Sequence, residues 1–135
     1  MSTNVCSFSW KHYRTILEVG KNAGYKFLLF NEIKGKTAEK YCLLRHDIDY
    51  APEKAIEFGR IESELGIRST YFYQVAAWTY NTQERSCSET IKALNNMGHQ
   101  IALHFDATWW EGISVEELAD VCTYEKDMLV RMTDI

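Results

Sequence analysis

The chain has 135 residues, of which 46% are hydrophobic and 25% are charged, a composition typical of a globular protein. We therefore expect a single domain over 1–135. The formal net charge is −4 and Lys and Arg do not cluster, which argues against a nucleic-acid partner. No stretch approaches the roughly 18 apolar residues of a membrane span, and the first residues lack the pattern of a secretion signal. With four widely separated cysteines, these features predict no membrane partner and a cytoplasmic location.

Hydrophobic periodicity predicts four helices and four strands, in the order helix, strand, strand, helix, strand, helix, strand, helix. Pro52 lies in the first turn of the second helix, where a missing N–H has little effect. Ser86 or Ser88 is the candidate N-cap of the third helix, and Ser114 with Glu117 predicts a capping box at the fourth. The predicted helices span 7–24, 51–66, 86–98 and 113–132, and the predicted strands span 25–30, 41–44, 67–75 and 99–105.

Strands that alternate with helices predict an α/β fold with a mostly parallel sheet. Parallel strands are buried on both faces, so their middles are apolar. Ligand sites in such folds gather beyond the carboxyl ends of the strands. Four strands do not decide whether the sheet is open or part of a barrel.

Three predicted strands are followed by polar or reactive side chains at this carboxyl end. The stretches concerned are "YCLLRHDID", "STYFYQ" and "IALHFD". Because all three ends belong to one rim, we expect their side chains to meet there. The rim residues are Arg45, His46, Asp47 and Asp49 from the first stretch, Tyr73 and Gln74 from the second, and His104 and Asp106 from the third.

Carboxylates and an imidazole on this rim indicate a divalent-metal site. Side chains alternate along a strand, so Asp47 and Asp49 share one face, as do His104 and Asp106. Imidazole with carboxylate suits Zn, Co, Ni or Fe better than Ca or Mg. Such a metal could activate water, and a second carboxylate could take the proton.

Structural roles compete with this hypothesis for several of the same residues. Asp49 lies close enough to the following helix to cap it, and Arg45 can simply neutralise the neighbouring carboxylates. His99, beside a glycine at the start of a strand, is typical of a structural histidine. Trp109 and Trp110 can stack on a sugar or pack under a loop.

Residues 43–75 and 97–106 together resemble the polysaccharide deacetylase family, the NodB-homology carbohydrate esterases. The first stretch is similar to the branch whose motif reads Arg-His-Asp-Val/Ile-Asp, and the second contains "GHQIALH". The resemblance implies a distorted (β/α) barrel and metal-dependent hydrolysis of an N- or O-acetyl group on a sugar. It also implies a divalent transition metal as cofactor and a carbohydrate as substrate.

Within this resemblance, Asp47 corresponds to the catalytic base and Asp49 to a metal ligand, although Ile48 between them leaves an exchange of roles open. His104 corresponds to the first metal-binding histidine of the family. The second histidine's position is Thr108 here, so Asp106 or water is left to complete the metal site.

Contacts with the sugar are expected from Arg45, Tyr73 and Trp109. The family's domain is usually longer than this chain, and its later motifs are missing, so we expect the amino-terminal half of such a domain. A second copy could cover the open sheet edge in a homo-oligomer. The alternatives are a non-catalytic carbohydrate-binding or assembly protein and a different α/β metal hydrolase using the same rim.

Overall fold

The computed structural model describes residues 8–35, 40–133 and 135, so Ser7, at the start of the first predicted helix, lies outside the described residues. Its helices are α1 (Trp10–Asn22), α2 (Ala55–Glu64), α3 (Arg85–Asn96) and α4 (Val115–Thr133). Its strands are β1 (Lys26–Leu28), β2 (Tyr41–Leu43), β3 (Arg45–Ile48), β4 (Thr70–Tyr73) and β5 (Gln100–Leu103). The predicted order is confirmed with one addition. The second predicted strand, 41–44, corresponds to β2, and a further strand, β3, contains Arg45, His46 and Asp47, which were expected beyond the strand end.

The strands form two parallel sheets, one of β1 and β2 and one in the order β3-β4-β5. The α/β class and the parallel pairing are therefore confirmed. Across the part of the chain that the structure describes, these sheets do not close into a barrel. None of the described helices is long and apolar enough to cross a membrane.

Helices cover one face of the three-stranded sheet. Alternation along the strands directs Ile48, Tyr71 and Tyr73 to that face, where all three are buried. They form the main core with α2, α3 and α4, and a smaller cluster of Leu17, Ile61 and Ile67 joins α1 to α2. The buried residues of the main core are Ile48, Ala55, Tyr71, Tyr73, Cys87, Ile91, Leu94 and Leu129.

The opposite side of this sheet, which we call the open face, is more polar and more accessible. It carries Arg45 and Asp47, both exposed, and Phe72, which is partly buried. The Arg45 guanidinium lies 4.2 Å from the centroid of the Phe72 ring. The Phe30 ring packs edge-on against the Phe72 ring, with 5.6 Å between the two centroids. The open face therefore combines charged side chains with a partly covered aromatic ring.

The helix caps confirm one sequence prediction and correct another. At α4, the backbone N–H of Glu117 donates to Ser114 Oγ, and the Glu117 carboxylate accepts from the backbone N–H of Ser114. At α3, the N-cap is Glu84, whose carboxylate accepts from the backbone N–H groups of Ser86 and Cys87. The prediction of Ser86 or Ser88 as N-cap is wrong, because the helix begins earlier, at a residue type less common in that role.

A fully buried carboxylate joins α1, α2 and the sheet. Glu62 accepts hydrogen bonds from the hydroxyls of Tyr13, Ser69 and Tyr71 and from His46 Nε2 at 2.6 Å. We call these five residues the Glu62 cluster. Burial by itself would raise the pKa of Glu62, but the hydrogen bond and charge of His46, with the Ser69 and Tyr13 hydrogen bonds, hold it below its ordinary value.

His99 lies beside this cluster and has a structural role. Its Nε2 donates to the Gly59 carbonyl at 3.1 Å, and its Nδ1 accepts from the backbone N–H of Ser69 at 3.3 Å. This pattern defines the neutral tautomer protonated on Nε2. Burial is the main cause of a pKa below the ordinary value, so the neutral ring is the form that the fold stabilises.

We expect the protein to lose stability on acidification in two stages. Unfolded His99 titrates near 6.5 and unfolded Glu62 near 4.5, and both folded groups titrate lower. The free energy of unfolding should therefore fall as the pH drops below 6.5, and fall further below 4.5. The measurement is the urea midpoint at a series of pH values from 8 to 3. A flat profile over this range would contradict this account of the two buried groups.

Candidate functional site

Three polar side chains meet at the carboxyl ends of β3, β4 and β5. Asp49 Oδ1 lies 3.3 Å from His104 Nδ1. Gln74 Nε2 lies 3.2 Å from Asp49 Oδ1 and 3.5 Å from His104 Nδ1. We call these residues the Asp49 cluster. The Asp49 side chain is 51% exposed and that of His104 is 23% exposed, so a ligand can reach both.

The register of the sheet explains why these residues converge. Ile48, Tyr73 and Leu103 are aligned across the three strands, so the next residue of each strand lies at the same level. That residue points to the opposite side from the buried core, which is the open face. The backbone N–H of His104 also donates to the Tyr73 carbonyl at 2.8 Å, which extends the sheet hydrogen bonding to the cluster.

The segment after β4 fixes the main chain around the cluster. Tyr80 donates its hydroxyl to the Ile48 carbonyl at 2.8 Å and accepts from the backbone N–H of Gln74 at 2.9 Å. Thr82 donates to the Gln74 carbonyl at 2.9 Å, and Thr79 donates to the Asp49 carbonyl. Sequence reasoning assigned no role to these residues.

Asp47 and Arg45 form a separate pair on the open face. Arg45 Nε donates to Asp47 Oδ1 at 2.6 Å. Arg45 therefore neutralises a neighbouring carboxylate, which is one of the two roles expected for it. Asp47 lies two residues before Asp49, a spacing of roughly 6.6 Å along an extended strand. The cation–π contact with Phe72 holds the guanidinium in position.

Asp49 does not cap the helix that follows it. A short 3-10 helix, Pro52–Lys54, precedes α2, and its N-cap is Ala51, which has a left-handed φ of 44° and no side-chain hydrogen bond. Asp49 therefore does not have the helix-capping role that the sequence left open for it. Its carboxylate faces Gln74 and His104 instead.

Asp106, expected as a metal ligand, has a capping role. Its carboxylate accepts from the backbone N–H of Thr108 at 3.0 Å and from the Thr108 hydroxyl at 2.6 Å, at the start of a 3-10 helix, Ala107–Trp110. These hydrogen bonds are the main cause of a pKa below the ordinary value for Asp106. The same short helix presents Trp109, which is 58% exposed and so accessible to a ligand.

Tyr73, expected to contact a sugar, points away from the rim. Its side chain is 0% exposed, on the helix-covered face, and its ring packs edge-on against Tyr80. No hydrogen-bond partner for its hydroxyl is present among the described residues. Tyr50, which follows Asp49, and Trp78, which precedes Thr79, are exposed aromatic residues that the sequence analysis did not single out.

The donor atoms of the Asp49 cluster fit part of a metal site. Within the described ranges, no group of three or more His, Cys, Asp or Glu side chains is arranged to hold a metal ion. The carboxylate oxygen and imidazole nitrogen are nevertheless 3.3 Å apart. Two atoms at that separation, each about 2.1 Å from a zinc-sized ion, subtend roughly 100° at the ion. Asp49 and His104 can therefore occupy two neighbouring coordination positions.

Comparisons of this chain with family models, with curated proteins and with solved structures find no match.

Proposed function

We propose that this chain is a metal-dependent carbohydrate deacetylase-like domain, which hydrolyses an N- or O-acetyl group on a sugar. The single observation that carries the proposal is the 3.3 Å contact of Asp49 Oδ1 with His104 Nδ1. This contact lies beyond the carboxyl ends of parallel strands, where α/β folds hold their ligands. The parallel sheet with one open, polar face is also compatible with part of a distorted (β/α) barrel.

Asp49 and His104 would hold the cation. A mixed oxygen and nitrogen donor pair suits a divalent transition metal such as Zn, Co, Ni or Fe. When bound, such an ion supplies Lewis-acid polarisation of the acetyl carbonyl. The side chains of Asp49 and His104 are partly exposed, so the acetyl group can approach from the solvent side.

Asp47 would act as the base that takes a proton from the attacking water. It lies on the same face as Asp49 but contacts Arg45 rather than His104. This difference supports Asp47 as base and Asp49 as ligand over the exchanged assignment. Arg45 holds the Asp47 carboxylate in one orientation, which a positioned base requires.

Exposed aromatic rings and Arg45 would provide contacts to the sugar. Trp109 was expected in this role, and its exposure supports it. Tyr50 and Trp78 are also exposed and lie next to residues that contact or form the Asp49 cluster. Rings of this kind combine a large apolar surface with polar edges, which matches the surface of a sugar.

A second candidate function is non-catalytic carbohydrate binding with a vestigial site. The observation that favours it is Thr108, which stands where the family's second metal-binding histidine is expected. The Thr108 hydroxyl donates to Asp106. The side chains of Thr108 and Asp106 therefore contact each other. This candidate predicts sugar binding without turnover.

Acetate release from acetylated sugars, measured with and without added Co²⁺ or Zn²⁺, tests the two candidates. We expect metal-stimulated release by the native chain and none by Asp49→Ala. Asp127→Asn, an exposed change on α4, is the control and should behave like the native chain. Sugar binding with no release at any metal concentration would reject the deacetylase and favour the non-catalytic candidate.

A further inference from the structure

Gln74 occupies the third corner of a nearly equilateral triangle of polar atoms. The edges are 3.3 Å between Asp49 and His104, 3.2 Å between Asp49 and Gln74, and 3.5 Å between His104 and Gln74. Each corner comes from a different strand end, at the same level of the sheet. Three neighbouring donor positions on one side of an ion are what a cation with an open coordination side requires.

We propose that the Gln74 carboxamide is the third protein ligand of the cation held by Asp49 and His104. This inference rests on the proposed metal site and adds an amide to its carboxylate and imidazole ligands. With atoms about 2.1 Å from the ion, edges of 3.2 to 3.5 Å correspond to angles of roughly 100–110°. The three residues would then form one face of the coordination sphere and leave the other side to solvent and substrate.

The Gln74 amide can present either of its terminal atoms to the other two corners. Its Nε2 donates to Asp49 Oδ1 at 3.2 Å and lies 3.5 Å from His104 Nδ1. A half-turn of the terminal torsion of Gln74 exchanges Nε2 and Oε1 at the same corner. The side chain can therefore donate to Asp49 or offer an oxygen to a cation at this corner.

The surroundings of Gln74 favour a fixed ligand over a mobile surface side chain. It is partly buried, and its main chain is tied by Tyr80 through the N–H and by Thr82 through the carbonyl. A ligand set of one carboxylate, one neutral imidazole and one amide would leave a divalent ion with a net charge of +1. A site with two carboxylates would be neutral, so the amide preserves more of the ion's ability to polarise a carbonyl.

Titration of Co²⁺ into the purified metal-free chain tests this inference, with the visible absorption spectrum and the dissociation constant as readouts. Gln74→Leu should weaken Co²⁺ binding by on the order of 10- to 100-fold or more. Gln74→Glu should bind at least as tightly as the native chain and shift the spectrum, because a carboxylate replaces an amide in the coordination sphere. Gln83→Leu, an exposed change outside the cluster, is the matched control.

The outcomes separate this inference from the proposed function. Native binding that is unaltered in Gln74→Leu overturns the role of Gln74 and leaves the Asp49 and His104 site standing. If Gln74→Leu is unfolded by its urea transition, Gln74→Glu decides: an unchanged Co²⁺ spectrum overturns the inference. Absence of Co²⁺ binding by the native chain overturns both.

Discussion

Replacing Glu62 by alanine is expected to lower the free energy of unfolding by about 3–5 kcal/mol, because it breaks a buried hydrogen-bond network and leaves several donors without an acceptor. The Glu62 side chain is 0% exposed and accepts hydrogen bonds from Ser69 at 2.5 Å and Tyr71 at 2.9 Å. Its removal leaves these hydroxyls and His46 Nε2 without their acceptor. Urea unfolding at neutral pH measures the loss.

A matched control stands two residues further along the same helix. Glu64 is 61% exposed and pairs with Arg14, and surface pairs of this kind contribute about 0–1 kcal/mol. Glu64→Ala should therefore be nearly neutral. If Glu62→Ala were no more destabilising than Glu64→Ala, the buried carboxylate would not be what joins α1 and α2 to the sheet.

Replacing Asp47 by asparagine should lower the rate of acetate release by roughly 10²- to 10⁴-fold, the usual contribution of a general base. The amide keeps the shape of the carboxylate and an oxygen that Arg45 can donate to, but it cannot take a proton from water. The dissociation constant for Co²⁺ should stay close to the native value, because Asp47 is not in contact with His104. The measurement is turnover at saturating metal, together with the Co²⁺ titration.

Comparison with Asp49→Ala makes this test specific. If Asp47→Asn loses metal affinity and Asp49→Ala retains it, the two carboxylates have exchanged roles. Equal turnover of native chain and Asp47→Asn would remove Asp47 from the reaction. Both results are distinguishable from unfolding by the urea transition of each variant.

The part of the site that the sequence could predict is the part governed by strand register. His104 directly follows an apolar strand, and Asp49 lies five residues beyond the apolar segment 41–44. The carboxyl ends of parallel strands lie at one edge of a sheet. Their convergence therefore needs only the parallel order, which alternating helices and strands indicate. The capping box of Ser114 and Glu117 was predictable for a similar reason, since it depends on a spacing of three residues.

Residues whose roles depend on tertiary packing were not predictable. The stretch "STYFYQV" has apolar and aromatic side chains on both faces, so nothing in it marks Tyr73 as the core side and Gln74 as the open side. Glu62 lies on the apolar face of α2, seven residues after Ala55 and three before Leu65. Only the packing of α1, β3 and β4 shows that four donors surround it. Glu84 caps α3, although serine is a more common N-cap residue than glutamate and Ser86 and Ser88 lie close by in the sequence.

Cobalt titration of the native chain, Asp49→Ala and His104→Ala tests the central claim most directly. We expect the native chain to bind one Co²⁺, and each variant, still folded by its urea transition, to bind more than roughly 100-fold more weakly. Native binding that both folded variants retain at full strength would contradict the account, because Asp49 and His104 would then not share a cation. A native chain that binds no Co²⁺ would contradict it equally.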